Sequence, residues 1–186
     1  LGPGHHLVAG AMFRAAECEL FLGRIANAER LLEQCAEIEA VTLGSSHPGL
    51  ANTQRLRAVC CMARRDFDGA MALLQASEMA YHKPLGASHP MRASCLYLMA
   101  LCHLEQGRVD EASKLLNECA EIEGANLGMD HPARANTLKV KAQGLLEAGK
   151  PGEALDILKT CQDMFSRALG EDHPTYAGVL FTMARC

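Results

Sequence analysis

Apolar residues line one face of a helix four times over, at the same phase of a fixed repeat. Ala28, Leu31, Leu32 and Cys35 recur as Ala70, Leu73, Leu74 and Ser77, then as Ala112, Leu115, Leu116 and Cys119, then as Ala154, Ile157, Leu158 and Cys161. This i, i+3, i+4, i+7 spacing predicts an amphipathic helix, and a strand cannot produce it. A first helix is predicted upstream of each of these. It carries Ala9, Ala51, Ala93, Ala135 and Ala177 in one column and Ala16, Ala58, Ala100, Ala142 and Ala184 in another. Small side chains in both columns let two backbones approach closely.

Turn chemistry punctuates the helices. Gly23, Gly107 and Gly149, each followed by a basic residue, mark the turn between first and second helix, and Arg65 takes the glycine's place in the second unit, where it is expected to strain or alter the turn. Each unit ends in the same phrase: Leu43-Gly44-x-x-His47-Pro48, then Leu85-Gly86-x-x-His89-Pro90, Leu127-Gly128-x-x-His131-Pro132 and Leu169-Gly170-x-x-His173-Pro174. Proline at the first helical turn is tolerated because its missing N–H has no partner there anyway. Ser46, Ser88, Asp130 and Asp172 are expected to cap the first-turn amides, with the histidine closing the loop. The period is 42 residues, giving repeats over 1–42, 43–84, 85–126 and 127–168 and a partial fifth over 169–186. Such a period means a stacked array, one solenoid domain in which each unit buries its apolar face against its neighbours. With no capping helix after the partial repeat, the array reads as a piece of a longer protein.

Composition narrows the function. A net charge of −4 argues against a nucleic-acid partner, and no apolar run reaches the roughly 18 residues of a membrane span. Of the nine cysteines, Cys18, Cys60, Cys102 and Cys186 share one phase of the repeat and Cys35, Cys119 and Cys161 another. Cysteines that recur with the structural period are small packers, and Ser77 fills one such slot. No C-x-x-C occurs, so neither zinc nor a redox pair is expected, and free thiols imply a reducing, cytosol-like compartment.

The period alone also fits HEAT and armadillo arrays. The small residue midway along the first helix, the G-[KR]-x-x-x-A turn and the L-G-x-x-H-P linker instead resemble tetratricopeptide repeats of the 42-residue kinesin light chain type, over the entire chain. The resemblance implies an all-α, right-handed superhelical solenoid with first helices lining a concave groove and second helices outside. It also implies a cytoplasmic protein of cytoskeletal or ciliary association, a component of a large complex. In the kinesin light chain type an asparagine pair on the first helix clamps a cargo peptide. Here those slots hold Phe13-Arg14, Arg55-Leu56, Tyr97-Leu98, Lys139-Val140 and Phe181-Thr182, so that clamp is absent, with Asn52 and Asn136 three places earlier as alternative amides.

The first slot alternates Phe13, Arg55, Tyr97, Lys139, Phe181, and Val59, Met62, Leu101, Leu104 and Leu146 follow on the same face. An apolar floor flanked by positive charge suits an apolar-acidic peptide or an amphipathic helix. The alternative is that these apolar residues pack between neighbouring helices. Glu29, Glu33, Glu37, Glu111, Glu118 and Glu121 give the second helices an acidic face, through which an architectural spacer would contact an assembly. Cys102 beside His103 is the one candidate nucleophile and base, without a third group to orient it. No cofactor, metal site or catalytic function is expected.

Overall fold

The computed structural model describes residues 5–186, apart from the side chains of 83 and 84. Among these residues the chain forms nine α-helices and no strand: α1 (His6–Phe21), α2 (Ile25–Thr42), α3 (Pro48–Ala63), α4 (Phe67–Leu85), α5 (Pro90–Glu105), α6 (Val109–Leu127), α7 (Pro132–Glu147), α8 (Pro151–Leu169) and α9 (Pro174–Met183). They divide into two compact units, Leu1–Ala87 and Ser88–Cys186. In the first, α1 pairs with α2, α3 pairs with α4, and α2 packs on α3. In the second, α5 pairs with α6 and α7 with α8, while α6 packs on α7 and α8 on α9.

The predicted columns form the core. Ala16, Ala58, Ala100 and Ala142 on first helices and Ala28, Ala70, Ala112 and Ala154 on second helices are fully buried, with Leu32, Leu74, Leu116 and Leu158 between them. Ala177 and Ala184 differ: both are exposed on α9 and its last turn. The thiol column adds a hydrogen bond to packing. Cys35, Cys119 and Cys161 donate to the carbonyls of Ala9, Ala93 and Ala135 at 3.2, 3.3 and 3.4 Å, and Ser77 donates to that of Ala51 at 3.0 Å.

Each hairpin turn closes in the same way. The N–H of Gly23 bonds the Leu20 carbonyl and that of Arg24 reaches the Glu19 carbonyl, the paired bonds of a left-handed helix stop. Gly107 with Arg108 and Gly149 with Lys150 repeat it. In the remaining hairpin the Arg65 N–H bonds the Met62 carbonyl and that of Asp66 the Cys61 carbonyl, with Arg65 at φ 63°, the sole non-glycine residue with positive φ among those described, and its guanidinium 5.4 Å from the Phe67 ring centroid.

The caps correct one expectation. The N-cap is the histidine, not the serine or aspartate before it: Nδ1 of His47, His89, His131 and His173 accepts from the backbone N–H two residues on, at 3.0–3.2 Å. The following proline holds each histidine in extended backbone, with ψ of 136–137°. That conformation is the one an N-cap needs. His5 caps α1 likewise without a proline.

Candidate binding surface

On α3, Asn52, Arg55, Val59 and Met62 lie at i, i+3, i+7 and i+10, and all four are half-buried. The same positions on α5 hold Ser94, Tyr97, Leu101 and Leu104, and on α7 Asn136, Lys139, Gln143 and Leu146, again all half-buried. A stripe that is partly covered along its whole length belongs neither to the sealed core nor to a solvated face.

Within it, side chains are tied together. Arg55 donates to the Asn52 side-chain oxygen at 3.0 Å. Burial pushes the Tyr97 hydroxyl pKa up, and the nearby Asn136 side chain opposes the shift. Tyr97 and Leu104 also pack against the core of Ala100, Ala112 and Leu116, together with Leu115 and Val140. Leu104 fills the space over Gly144, where a Cβ would stand 2.5 Å from its Cδ2. That contact accounts for the glycine, since the same slot holds Cys60 on α3 and Cys102 on α5.

Two of the aromatic slots behave differently from the rest. Phe13 is 8% exposed and belongs to the core with Ala9, Leu32, Leu56 and Cys60, which corrects its placement in the groove: its ring turns into the junction of α1, α2 and α3. Phe181, by contrast, is 68% exposed on α9.

The basic residues two places beyond the stripe have partners on the preceding helix. Arg57 lies 3.7 Å from Glu33, and the Lys141 ammonium donates to Asn117 at 2.8 Å. Burial lowers the Lys141 pKa, with Glu153 opposing it. The supposed acidic face is likewise partly matched: Glu29 pairs with Arg64 at 2.5 Å and Glu118 with Arg92 at 2.6 Å, whereas Glu37, Glu111 and Glu121 are exposed.

A buried polar cluster escaped the reading at a period of 42. The Thr53 hydroxyl donates to the Glu39 carboxylate at 2.6 Å, with the Cys35 sulfur 3.6 Å from the same hydroxyl. Glu123, Thr137 and Cys119 repeat the set 84 residues on, and burial raises the Glu123 pKa despite the Thr137 and Cys119 hydrogen bonds. The signal was available: C-A-E-I-E occurs at 35–39 and 119–123, and A-N-T at 51–53 and 135–137. The polar set thus recurs with every second repeat, and the basic residues of the even-numbered first helices, Arg57 and Lys141, meet Glu33 and Asn117 of the odd-numbered second helices.

Cysteine chemistry is muted. Burial pushes the Cys35 and Cys60 thiols up to about 11 and those of Cys119 and Cys161 up to about 12. A thiol held there is a poor nucleophile at neutral pH. Cys102 is fully buried, and burial lowers the His103 pKa, followed by the nearby Arg108. Only Cys18 and Cys186 are exposed. Among the described residues no three His, Cys, Asp or Glu side chains are grouped to hold a metal, and no helix is long and apolar enough to cross a membrane.

Helical hairpins packed in each unit, with a half-covered stripe on α3, α5 and α7, define a repeat-scaffold protein. The chain belongs to the tetratricopeptide repeat family, whose model matches residues 7–82 and 91–167. A crystal structure of nearly identical TPR-like repeats assigned to a kinesin light chain of Podosopora anserina is 26% identical, with a TM-score of 0.83 over 97% of this chain and 86% of that one. A point variant of it is 27% identical at the same TM-score, over 98% and 85%. BtubC of P. vanneervenii, 18% identical with a TM-score of 0.79 over 90% of this chain and 66% of that one, shares the fold. No curated protein sequence matches.

Proposed function

We propose that this chain is a non-catalytic protein-interaction scaffold whose first helices receive a peptide or amphipathic helix of apolar-acidic character. The observation that carries this reading is the half-buried stripe of each unit, which holds Arg55, Val59 and Met62 on α3 of the first and Leu101, Leu104, Lys139 and Leu146 on α5 and α7 of the second. Partly covered apolar residues next to cations give an incoming side chain both a surface to desolvate and a charge to meet. Tyr97 and Asn136 present a neighbouring hydroxyl and amide for a peptide backbone, in place of the asparagine pair of kinesin light chains. The exposed Phe181 extends the stripe of the second unit. Free cysteines fit a cytoplasmic home, and the kinesin light chain likeness fits membership of a motor or ciliary assembly.

The test is selection of peptides from an acid-rich amphipathic display library on the immobilised chain. Arg55→Glu and Lys139→Glu should each weaken the selected peptides about tenfold or more, with the urea midpoint unchanged. Peptides that bind both variants as they bind the parent would end this reading. The outer-face alternative has weaker support, because Glu118 is already engaged by Arg92.

A further inference from the structure

The histidine of the recurring L-G-x-x-H-P phrase has no part in the half-buried stripe, yet it makes the same bond at every repeat. Nδ1 of His5, His47, His89, His131 and His173 accepts from the backbone N–H two residues on, at 3.0–3.2 Å. An imidazole accepts at Nδ1 only when neutral, with its proton on Nε2. A second proton sets donor against donor, and the bond is lost. The usual capping side chains are serine, threonine, asparagine and aspartate, none of which changes charge near neutrality. Histidine is the side chain that ordinarily does so, between about pH 5 and 8.

Nothing in these first turns stands in for the lost acceptor. The first helices carry no acidic residue there, whereas α4, α6 and α8 carry Asp68, Asp110 and Glu153. An imidazolium at a helix N-terminus also meets the positive end of the helix dipole, so protonation removes an acceptor and adds a repulsion together.

Neighbouring charges set where each ring gains its proton. The linker of His47 holds none; the nearest in sequence are Glu39 of α2, held by Thr53 at 2.6 Å, and Arg55 of α3, bonded to Asn52, while the end of α4 adds Glu78, His82 and Lys83. At His131, Glu123 of α6 favours the charged ring and Arg134 of α7 opposes it, and Asp130 is engaged by Arg167 of α8 at 3.0 Å. Glu171 and Asp172 precede His173, and Arg92, paired with Glu118, follows His89. His5 stacks on His6, ring centroids 4.3 Å apart.

We infer that the histidine caps are a proton-operated release built into the array: neutral, they hold the first turn of each first helix, and protonated, they let it fray. Because one capping chemistry recurs along the chain, the joints answer the same signal. The capped turn excludes the proton that the unfolded chain accepts, so the folded state binds fewer protons while imidazole titrates. The caps' contribution is complete on the alkaline side of that span and is lost as the pH falls through it. The buried Glu123 has the opposite dependence, so each variant is compared with the parent at every pH. The caps lie outside the half-buried stripe, and the release stands apart from the proposed function.

The test is amide exchange of the whole chain by NMR, read at Gly49 and Ala133, whose N–H groups His47 and His131 hold. From about pH 7.5 to about pH 5.5, with intrinsic rates divided out, protection at both should fall about fivefold, the factor for one lost cap. Imidazole nitrogen shifts should show the Nε2–H tautomer at the upper end and protonation within that span. His47→Asn, which caps without titrating, should keep Gly49 protection level while Ala133 still falls in the same molecule. His131→Asn should do the reverse, so either variant decides the matter if the other fails to fold. The release is overturned by an Nδ1–H tautomer at about pH 7.5, by rings still neutral at about pH 5, by protection that stays level as the rings take up protons, or by a fall at Gly49 in His47→Asn equal to the parent's.

Discussion

The Ser77 hydroxyl donates to the Ala51 carbonyl at 3.0 Å, the bond that Cys119 makes to Ala93 at 3.3 Å. The slot thus selects a small side chain that can also donate, because the second helix passes close enough for its side chain to reach the backbone of the first. Serine and cysteine satisfy both demands. Alanine satisfies one.

Cys119→Ser should therefore fold to the parent's stability within about 1 kcal/mol, whereas Cys119→Val, too broad for a site between two helix backbones, should cost about 1–3 kcal/mol by overpacking. Urea denaturation of the three proteins under reducing conditions checks the order. Equal losses for serine and valine would show that the hydrogen bond is incidental to the slot.

Arg65 occupies a left-handed turn where the other three hairpins have glycine. A non-glycine residue pays about 1–2 kcal/mol for that conformation, and the guanidinium contact with Phe67 returns about 0.5–1 kcal/mol. Arg65→Gly should accordingly raise stability by up to about 1 kcal/mol, after the glycine's own entropic cost. Gly107→Arg, placing the same residue in the corresponding turn, should lower it by about 1 kcal/mol. Denaturant midpoints of the pair decide the matter, and a fall for Arg65→Gly would mean that the ring contact outweighs the backbone.

Alanine and leucine columns made the helices and their pairing readable, since close-packed contacts repeat with every unit and leave an unbroken pattern. Gly23, Gly107 and Gly149 located the turns, and Arg65 marked the strained one. The asymmetric interactions were not readable at the same period. Glu39 recurs only at Glu123, with Tyr81 and Phe165 in the intervening slots, so a carboxylate that is structural in odd repeats leaves no column at the 42-residue period. Phe13 shares a slot with Arg55 and Lys139, yet its ring is buried, because burial depends on what the neighbouring helix leaves open. His47 was legible as a loop residue, but its role as the cap follows from backbone angles that only the proline beside it hints at.

Thr53 is fully buried and holds Glu39 at 2.6 Å. Thr53→Val keeps the shape and removes the donor, leaving a carboxylate oxygen in the core between α2 and α3 short of a partner. The expected loss is about 1–3 kcal/mol. Thr53→Ser, which keeps the hydroxyl and loses a methyl, should recover most of it. If valine proved harmless in urea denaturation, the threonine would be a packing residue and the recurrence of A-N-T would need another cause.

Glu123 gives the cluster a pH signature. Burial, the largest cause, raises its pKa above the ordinary 4.5, while Thr137, Cys119, His131 and Arg134 pull it back. A carboxyl whose folded pKa lies above its unfolded value binds its proton more tightly in the folded state. Its favourable contribution is complete below 4.5 and is lost as pH rises through the folded value, beyond which the buried charge is a constant penalty. Glu123→Gln removes that penalty and keeps an acceptor for Thr137. The variant should be more stable than the parent at pH 7, and the gap should narrow as the pH falls toward 4.5 and close below it. Stability curves of both proteins between those limits test the sign. A gap that widens on acidification would mean that hydrogen bonds from Thr137 and Cys119 outweigh burial, and that the doubled carboxylate is held as an anion.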